Sequence, residues 1–135
     1  MIRTLEEARA FFAGDLYATA LSGISITEIG ENYAKCEMPV TPRHRNAAGA
    51  VMGGAIFTLA DFAFAVAANL GGVLTVTTTA STQFIGACKG EVLIAEAHLL
   101  KDGRRNCFFE VTVKDDLDNL VAVVTTTGTH LEKKL

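Results

Sequence analysis

The run Ala55–Leu70, AIFTLADFAFAVAANL, limits what this chain can fold into more than any other segment. It is rich in Ala, Leu and Phe and apolar on nearly every side. At helical rise it makes about four turns. A helix that is apolar all round is a buried helix. Gly71-Gly72 then stands where helices stop. Such a helix needs a cover, and the rest of the chain reads mostly as strand.

Before the buried helix, Thr4-Leu5-Glu6-Glu7 has the form of a capping box, with Glu7 three residues after Thr4. Leu5, Ala8, Phe12 and Leu16 follow at helical spacing, which predicts an amphipathic helix over 5–20, ended by Ser22-Gly23. Ile24–Ile29, the turn Gly30-Glu31-Asn32 and Tyr33–Val40 read as a hairpin. In its second arm Ala34, Cys36, Met38 and Val40 alternate with Lys35, Glu37 and Pro39, so one face is solvated. Thr41–Asn46 is a polar loop. After the helix, Val73–Ile85, Val92–Leu100, Asn106–Lys114 and Leu120–Leu131 read as strands, with turns at 101–103 and 115–119. The order predicts an α+β fold with a curved antiparallel sheet wrapped around one long central helix. At 135 residues it is one domain, 1–135.

Twelve basic against fifteen acidic residues give a net charge of −3 and no basic stripe, so nucleic acid is not an expected partner. No apolar run is long enough to span a membrane, and the first residues lack a signal peptide's basic start and apolar block. Cys36, Cys88 and Cys107 are odd in number and form no CxxC pair. Reduced thiols and a cytoplasmic location are the simplest expectation. His44, His98 and His130 are scattered, so structural or surface roles are expected for them. No metal set stands at ligand spacing.

Asp61 lies inside the apolar helix with no Lys or Arg within seven positions on either side. An unpaired buried carboxylate is costly, or it shifts its pKa. The plainer reading is that it faces a polar seam. Gly53-Gly54 precedes the helix. Free amides at a helix N-terminus favour developing negative charge and can stabilise an oxyanion; the plainer reading is a tight turn. Eight residues separate Gly53 from Asp61, roughly 12 Å along a helix. If both serve one reaction, Asp61 must come from a second chain whose helix runs the other way. A two-fold dimer provides that. Asn46, in the loop before the Gly pair, is a candidate to orient a water or a carbonyl.

The run His44-Arg45-Asn46-Ala47-Ala48-Gly49-Ala50-Val51-Met52-Gly53-Gly54, with Leu59-Ala60-Asp61 after it, resembles the hotdog-fold acyl-CoA thioesterases. It is most similar to their phenylacetate-degradation (PaaI-like) subfamily, whose motif is Asn-x-x-Gly, His-Gly-Gly and an Asp on the central helix. The resemblance covers nearly the whole chain and implies a hotdog fold. It implies that Asp61 activates water as general base or attacks as nucleophile. Gly53 would offer its N–H to the thioester carbonyl, and Asn46 would position substrate or water. A hydroxyl from the following strand would stand near the Asp, with Thr77 the best alignment and Thr78 beside it. Met52 and Gly54 would line the substrate site. Arg43, Arg45, Lys89, Arg104 and Arg105 would meet the CoA phosphates, with Gly86 and Gly90 shaping that rim. No metal or organic cofactor is implied, and the partners are an acyl-CoA and further copies of the chain, a homodimer or a homotetramer. Met52 departs from the family's His, and Met can neither donate a hydrogen bond nor carry charge. That departure keeps a non-catalytic acyl-CoA binding or sensor domain as the alternative. A hotdog hydratase or dehydratase fits less well, because Leu59 stands where that pattern carries Glu. The acyl group and the choice of CoA or carrier-protein thioester stay open.

Overall fold

The computed structural model describes residues 1–135. Its elements are α1 (Leu5–Phe12), a π-helical turn (Tyr17–Leu21), β1 (Ser25–Gly30), β2 (Tyr33–Pro39), a 3-10 turn (Pro42–His44), α2 (Gly53–Asn69), β3 (Val73–Phe84), β4 (Val92–Asp102), β5 (Asn106–Asp115) and β6 (Leu120–Lys134). All six strands pair antiparallel in one sheet, in the order β1-β2-β4-β5-β6-β3. The sheet curves around α2, as the sequence predicts.

Alternation along the strands sets which face meets the helix. Ala34, Cys36 and Met38 of β2, Leu93, Ala95 and Ala97 of β4, and Phe109, Val111 and Val113 of β5 are buried. They join Leu59, Phe62, Phe64 and Val66 of α2 in one core cluster. Each large side chain buried there contributes about 1.5–3 kcal/mol. The ring of Phe64 meets Phe109 edge-on at 5.3 Å. It fits only because position 128 is Gly: a Cβ there would lie 2.7 Å from Phe64 Cζ and 2.9 Å from Cys107 Sγ. Cys36 and Cys107 are buried strand residues, and Cys88 lies in the loop before β4.

Most strand ends shift by one to three residues, β6 running to Lys134 rather than Leu131, and three further boundaries differ for a local reason. The first helix stops at Phe12, not near residue 20. Its start is as predicted, with Thr4 Oγ1 accepting from Glu7 N–H at 3.1 Å. Gly14 and Asp15 then interrupt the run, and a π-helical turn follows. Leu16, which fits the helical spacing, is 66% exposed. The central helix begins at Gly53, so the Gly pair is its first turn and not a lead-in. The third difference is in β4, which runs to Asp102 because Lys101 and Asp102 still pair with Phe108 and Cys107.

The end of α2 is tied to β3 by a buried amide. Asn69 Nδ2 donates to Thr75 O at 3.1 Å, and Thr75 N–H donates to Asn69 Oδ1 at 2.8 Å. This clamp holds the start of β3 beside the end of the helix. No helix is long and apolar enough to cross a membrane.

Candidate functional site

The loop before α2 delivers the Gly pair. His44 is buried, with Nδ1 accepting from Thr41 N–H at 3.0 Å and Nε2 2.8 Å from Ser22 O. Those contacts assign a neutral ring with its proton on Nε2. The His44 carbonyl accepts from Met52 N–H at 2.8 Å. Asn46 Oδ1 accepts from Ala48 N–H and Ala50 N–H at 3.0 and 3.1 Å. Its carbonyl is thus committed to the loop, in an Asx-type turn, and only its Nδ2 remains free for a ligand. Arg45 Nη1 donates to Gly49 O at 2.9 Å.

Ala55 and Ile56 donate to the Met52 carbonyl, whereas Gly53 and Gly54 N–H have no acceptor in the chain. These are the orphan donors of a helix start, at the positive end of its dipole. Phe84 lies against them, since a Cβ on Gly53 would stand 3.2 Å from Phe84 Cζ. The Met52 side chain is 56% exposed at the same end.

Asp61 projects from the middle of α2, where β3 passes. A register shift between Thr77 and Thr79 takes Thr78 out of the ladder with β6. Such bulges re-aim side chains. Thr77 Oγ1 is thereby 3.4 Å from Asp61 Oδ1, a long hydrogen bond, while Thr78 Oγ1 donates to Thr127 O at 3.1 Å. Of the two threonines, Thr77 is the one that meets the carboxylate. Burial pushes the Asp61 carboxyl above the ordinary range, the Thr77 hydroxyl pulls it down, and the charge of Asp15 pushes it up again. No cation offsets this. Asp61 therefore lies closer to the pKa a base needs at neutral pH than an exposed Asp does.

Beside Asp61 opens a cleft of about 460 Å³, walled by Leu16, Tyr17, Phe57, Phe62 and Ala65 among others. Asp15 stands on its rim. Sequence reasoning missed Asp15 because the run 5–20 reads as one helix, with Asp15 on its solvated side.

The basic candidates divide into two groups within one chain. Arg43 and Arg45 lie in the loop leading to α2, and Arg45 is close enough to act on the Cys88 thiol next to Lys89. Lys89 N–H is held by Asp115 Oδ2 at 2.9 Å, which leaves its ammonium in solvent. Arg104 and Arg105 lie in the β4–β5 turn. Arg104 lines a separate cavity of about 330 Å³ with Ala68 and Gly71, at the far end of α2. His130 lines that cavity too, 2.7 Å from Thr75 Oγ1 and 2.8 Å from Asp102 Oδ1. It ties β6 to β3 and to the end of β4, which agrees with the structural role expected of it. No group of His, Cys, Asp and Glu stands together as a metal site.

A sequence model described as thioesterase superfamily matches residues 48–122. A putative esterase of Archaeoglobus fulgidus is 40% identical over 99 residues, which are 73% of this chain and 64% of that protein, just under two thirds of its length. The acyl-coenzyme A thioesterase PaaI of Escherichia coli is 30% identical over 119 residues, 87% of this chain and 84% of that one. The solved E. coli PaaI protein, from the phenylacetic acid degradation operon, superposes with a TM-score of 0.84 at 24% identity, over 97% of this chain and 99% of that one.

Proposed function

The chain belongs to the thioesterase superfamily, and from that premise we propose that it hydrolyses an acyl- or aryl-CoA thioester to the free acid and CoA. One observation carries the reading. α2 holds an orphan amide at Gly53 and an underbonded, raised-pKa carboxylate at Asp61, the two groups that acyl transfer to water needs.

They stand roughly 12 Å apart along one helix, so a single thioester carbonyl does not reach both in one chain. A second copy with its α2 antiparallel supplies the missing group, and two equal sites result. β3 suits that pairing. It is the sheet edge, twelve residues long, largely exposed, with no charge and no proline. Natural edges that must stay single carry charge, proline or bulges against pairing; β3 has only its register shifts, at Val73–Thr75 and at Thr78.

In this reading the thioester oxygen accepts from Gly53 N–H, at the positive end of α2. Asp61 of the second copy takes a proton from a water as that water attacks the carbonyl carbon. Charge gathers on the oxygen and is held by the amide. The C–S bond then breaks, and the departing CoA thiolate takes up the proton that Asp61 holds. Thr77 keeps Asp61 oriented. Asn46 contributes through Nδ2, and Met52 and Gly54 flank the carbonyl. Direct attack by Asp61 is the other route open to this geometry. In this reading Arg43, Arg45 and Lys89 meet the CoA phosphates, and Arg104 and Arg105 enter only from the second copy.

Release of free thiol from a panel of aryl- and alkyl-acyl-CoAs tests the reading, with Asp61→Ala in parallel. The expected result is turnover by a dimer and a loss of about 10²–10⁴-fold in kcat for the variant, which stays dimeric. Unchanged turnover in Asp61→Ala overturns the mechanism. Binding of acyl-CoA without turnover on any ester replaces hydrolysis with the binding-domain reading that Met52 motivates.

A further inference from the structure

Gly53 and Gly54 open α2 side by side, both with a free N–H, but their surroundings differ. A Cβ on Gly54 would meet nothing within 4 Å. A Cβ on Gly53 would stand 3.2, 3.4 and 3.7 Å from three ring carbons of Phe84. The ring thus covers one side of Gly53 and leaves Gly54 open, and Gly53 is half-buried where Gly54 is exposed.

The sheet decides where that ring stands. Phe84 is the last residue of β3 and pairs with Ala122 of β6, with no register shift from Thr79 onward. Just beyond it, Ile85 N–H and Gly86 N–H both donate to Val121 O, at 2.8 and 3.1 Å. Gly86 passes so near β6 that a Cβ there would lie 2.7 Å from Leu120 O. The backbone under Phe84 is therefore held by a ladder and not by a free loop. The ring takes no part in the core: it is 57% exposed, and its contact is with the start of α2.

We infer that Phe84 is a positioning residue of the hydrolytic site, acting through the Gly53 amide by keeping water from it and holding the first turn of α2 in place. The inference rests on the reading of Gly53 N–H as the donor to the thioester oxygen.

The physical argument is competition with water. A free N–H at the surface bonds water, and that water must leave before a carbonyl oxygen takes its place. A phenyl ring brings no oxygen or nitrogen acceptor, so it displaces water without replacing it. In a water-poor place one donor is worth more to a developing oxyanion than in bulk solvent. The gain is greater for the charged transition state than for the neutral carbonyl of the substrate, so it acts on kcat more than on KM. Of the two free amides, the covered one is the better oxyanion donor, which selects Gly53 over Gly54.

Water-exchange NMR on the full-length protein labelled with ¹⁵N-glycine tests the cover without any substrate. In Phe84→Ala the Gly53 amide is expected to exchange with water about tenfold faster, while the Gly54 amide keeps its rate. Phe84→Tyr retains the ring and is expected to restore the slower exchange at Gly53. Turnover gives a second readout. Phe84→Ala is expected to lower kcat about tenfold, less than the loss of an oxyanion donor outright, with KM changed by no more than about twofold. Phe84→Tyr recovers that rate. A merely structural defect would speed exchange at Gly53 and Gly54 alike and would not divide kcat from KM. If Phe84→Ala fails to fold, Phe84→Leu supplies the variant without a ring. Equal exchange at Gly53 with and without the ring overturns the proposal, and so does a rate loss that falls wholly on KM. Absence of turnover on every ester, with Gly53 still shielded by Phe84, sinks the hydrolase reading and leaves the shielding intact.

Discussion

Two aspartates, Asp61 and Asp115, are withdrawn from solvent in this chain, and their surroundings are opposite. Asp115, at the end of β5, is 2% exposed. Its two oxygens accept from Lys89, Gly90, Leu117 and Asn119 N–H and from Asn119 Nδ2, all at 2.9–3.0 Å. Burial alone raises a carboxyl, but here five donors outweigh it, the Asn119 side chain foremost, and hold Asp115 well below the usual carboxylate range. Asp61 has one donor, at 3.4 Å, and burial wins. A saturated carboxylate is a structural rivet, pinning the 86–91 loop to the 115–119 turn. An underbonded one keeps lone pairs free for a proton. Burial is shared by both; the number of donors separates fold from chemistry.

The comparison can be broken at either acid. Replacement of the rivet, Asp115→Asn, is expected to have the largest effect. It leaves several of those N–H groups without an acceptor, and Tm should fall by roughly 10 °C or more, read by calorimetry near neutral pH. The sign with pH follows from the lowered value. The stability from Asp115 is complete above the ordinary carboxylate range and is lost as pH falls from that range toward the lowered native value, so the gap between parent and variant closes only in strong acid. A constant gap down to the acid end would mean that Asp115 packs but does not act through its charge.

At Asp61, Thr77→Val sharpens the contrast by removing the one donor. The carboxyl should rise further, the acidic limb of the rate profile should move to higher pH, and kcat/KM at neutral pH should drop about two- to tenfold, the worth of one hydrogen bond. Thr78→Val is the control, since its hydroxyl bonds Thr127 O and not Asp61. The smallest effect expected is on stability. With its pKa raised in the fold, Asp61 destabilises the chain as pH climbs above the ordinary value of 3.8. Asp61→Asn should therefore be more stable than the parent at neutral pH, by about 1 kcal/mol or less given its partial exposure. In acid the two should melt alike. A less stable Asp61→Asn would make this acid a second rivet and end the contrast.

What the sequence reveals follows how local each cause is. Alternation in β2 and the all-apolar α2 are repeated over many residues, so the layer order and the core were legible. Asp61 was legible because its sequence neighbours are wholly apolar. The length of α1 was misread because Leu5, Ala8, Phe12 and Leu16 keep helical spacing, while Gly14 and Asp15 break the helix and leave Leu16 in solvent. Two of the five donors of Asp115, the Lys89 and Gly90 amides, lie 25–26 positions away, so in sequence it reads only as the start of a turn. Asp15 escapes notice for the same reason: the cleft it shares with Asp61 exists only once the π-helical turn folds against α2.

The pairing of β3 with β6 sets a timetable. β6 is the last strand in the chain, so β3 leaves the ribosome with β4 and β5 still to follow before its ladder partner arrives. At bacterial-to-eukaryotic elongation rates that wait is on the order of seconds. Through it the chain carries an uncharged strand of twelve residues without its neighbour. Loss of the residues from Leu120 onward would leave β3 without its ladder partner for good.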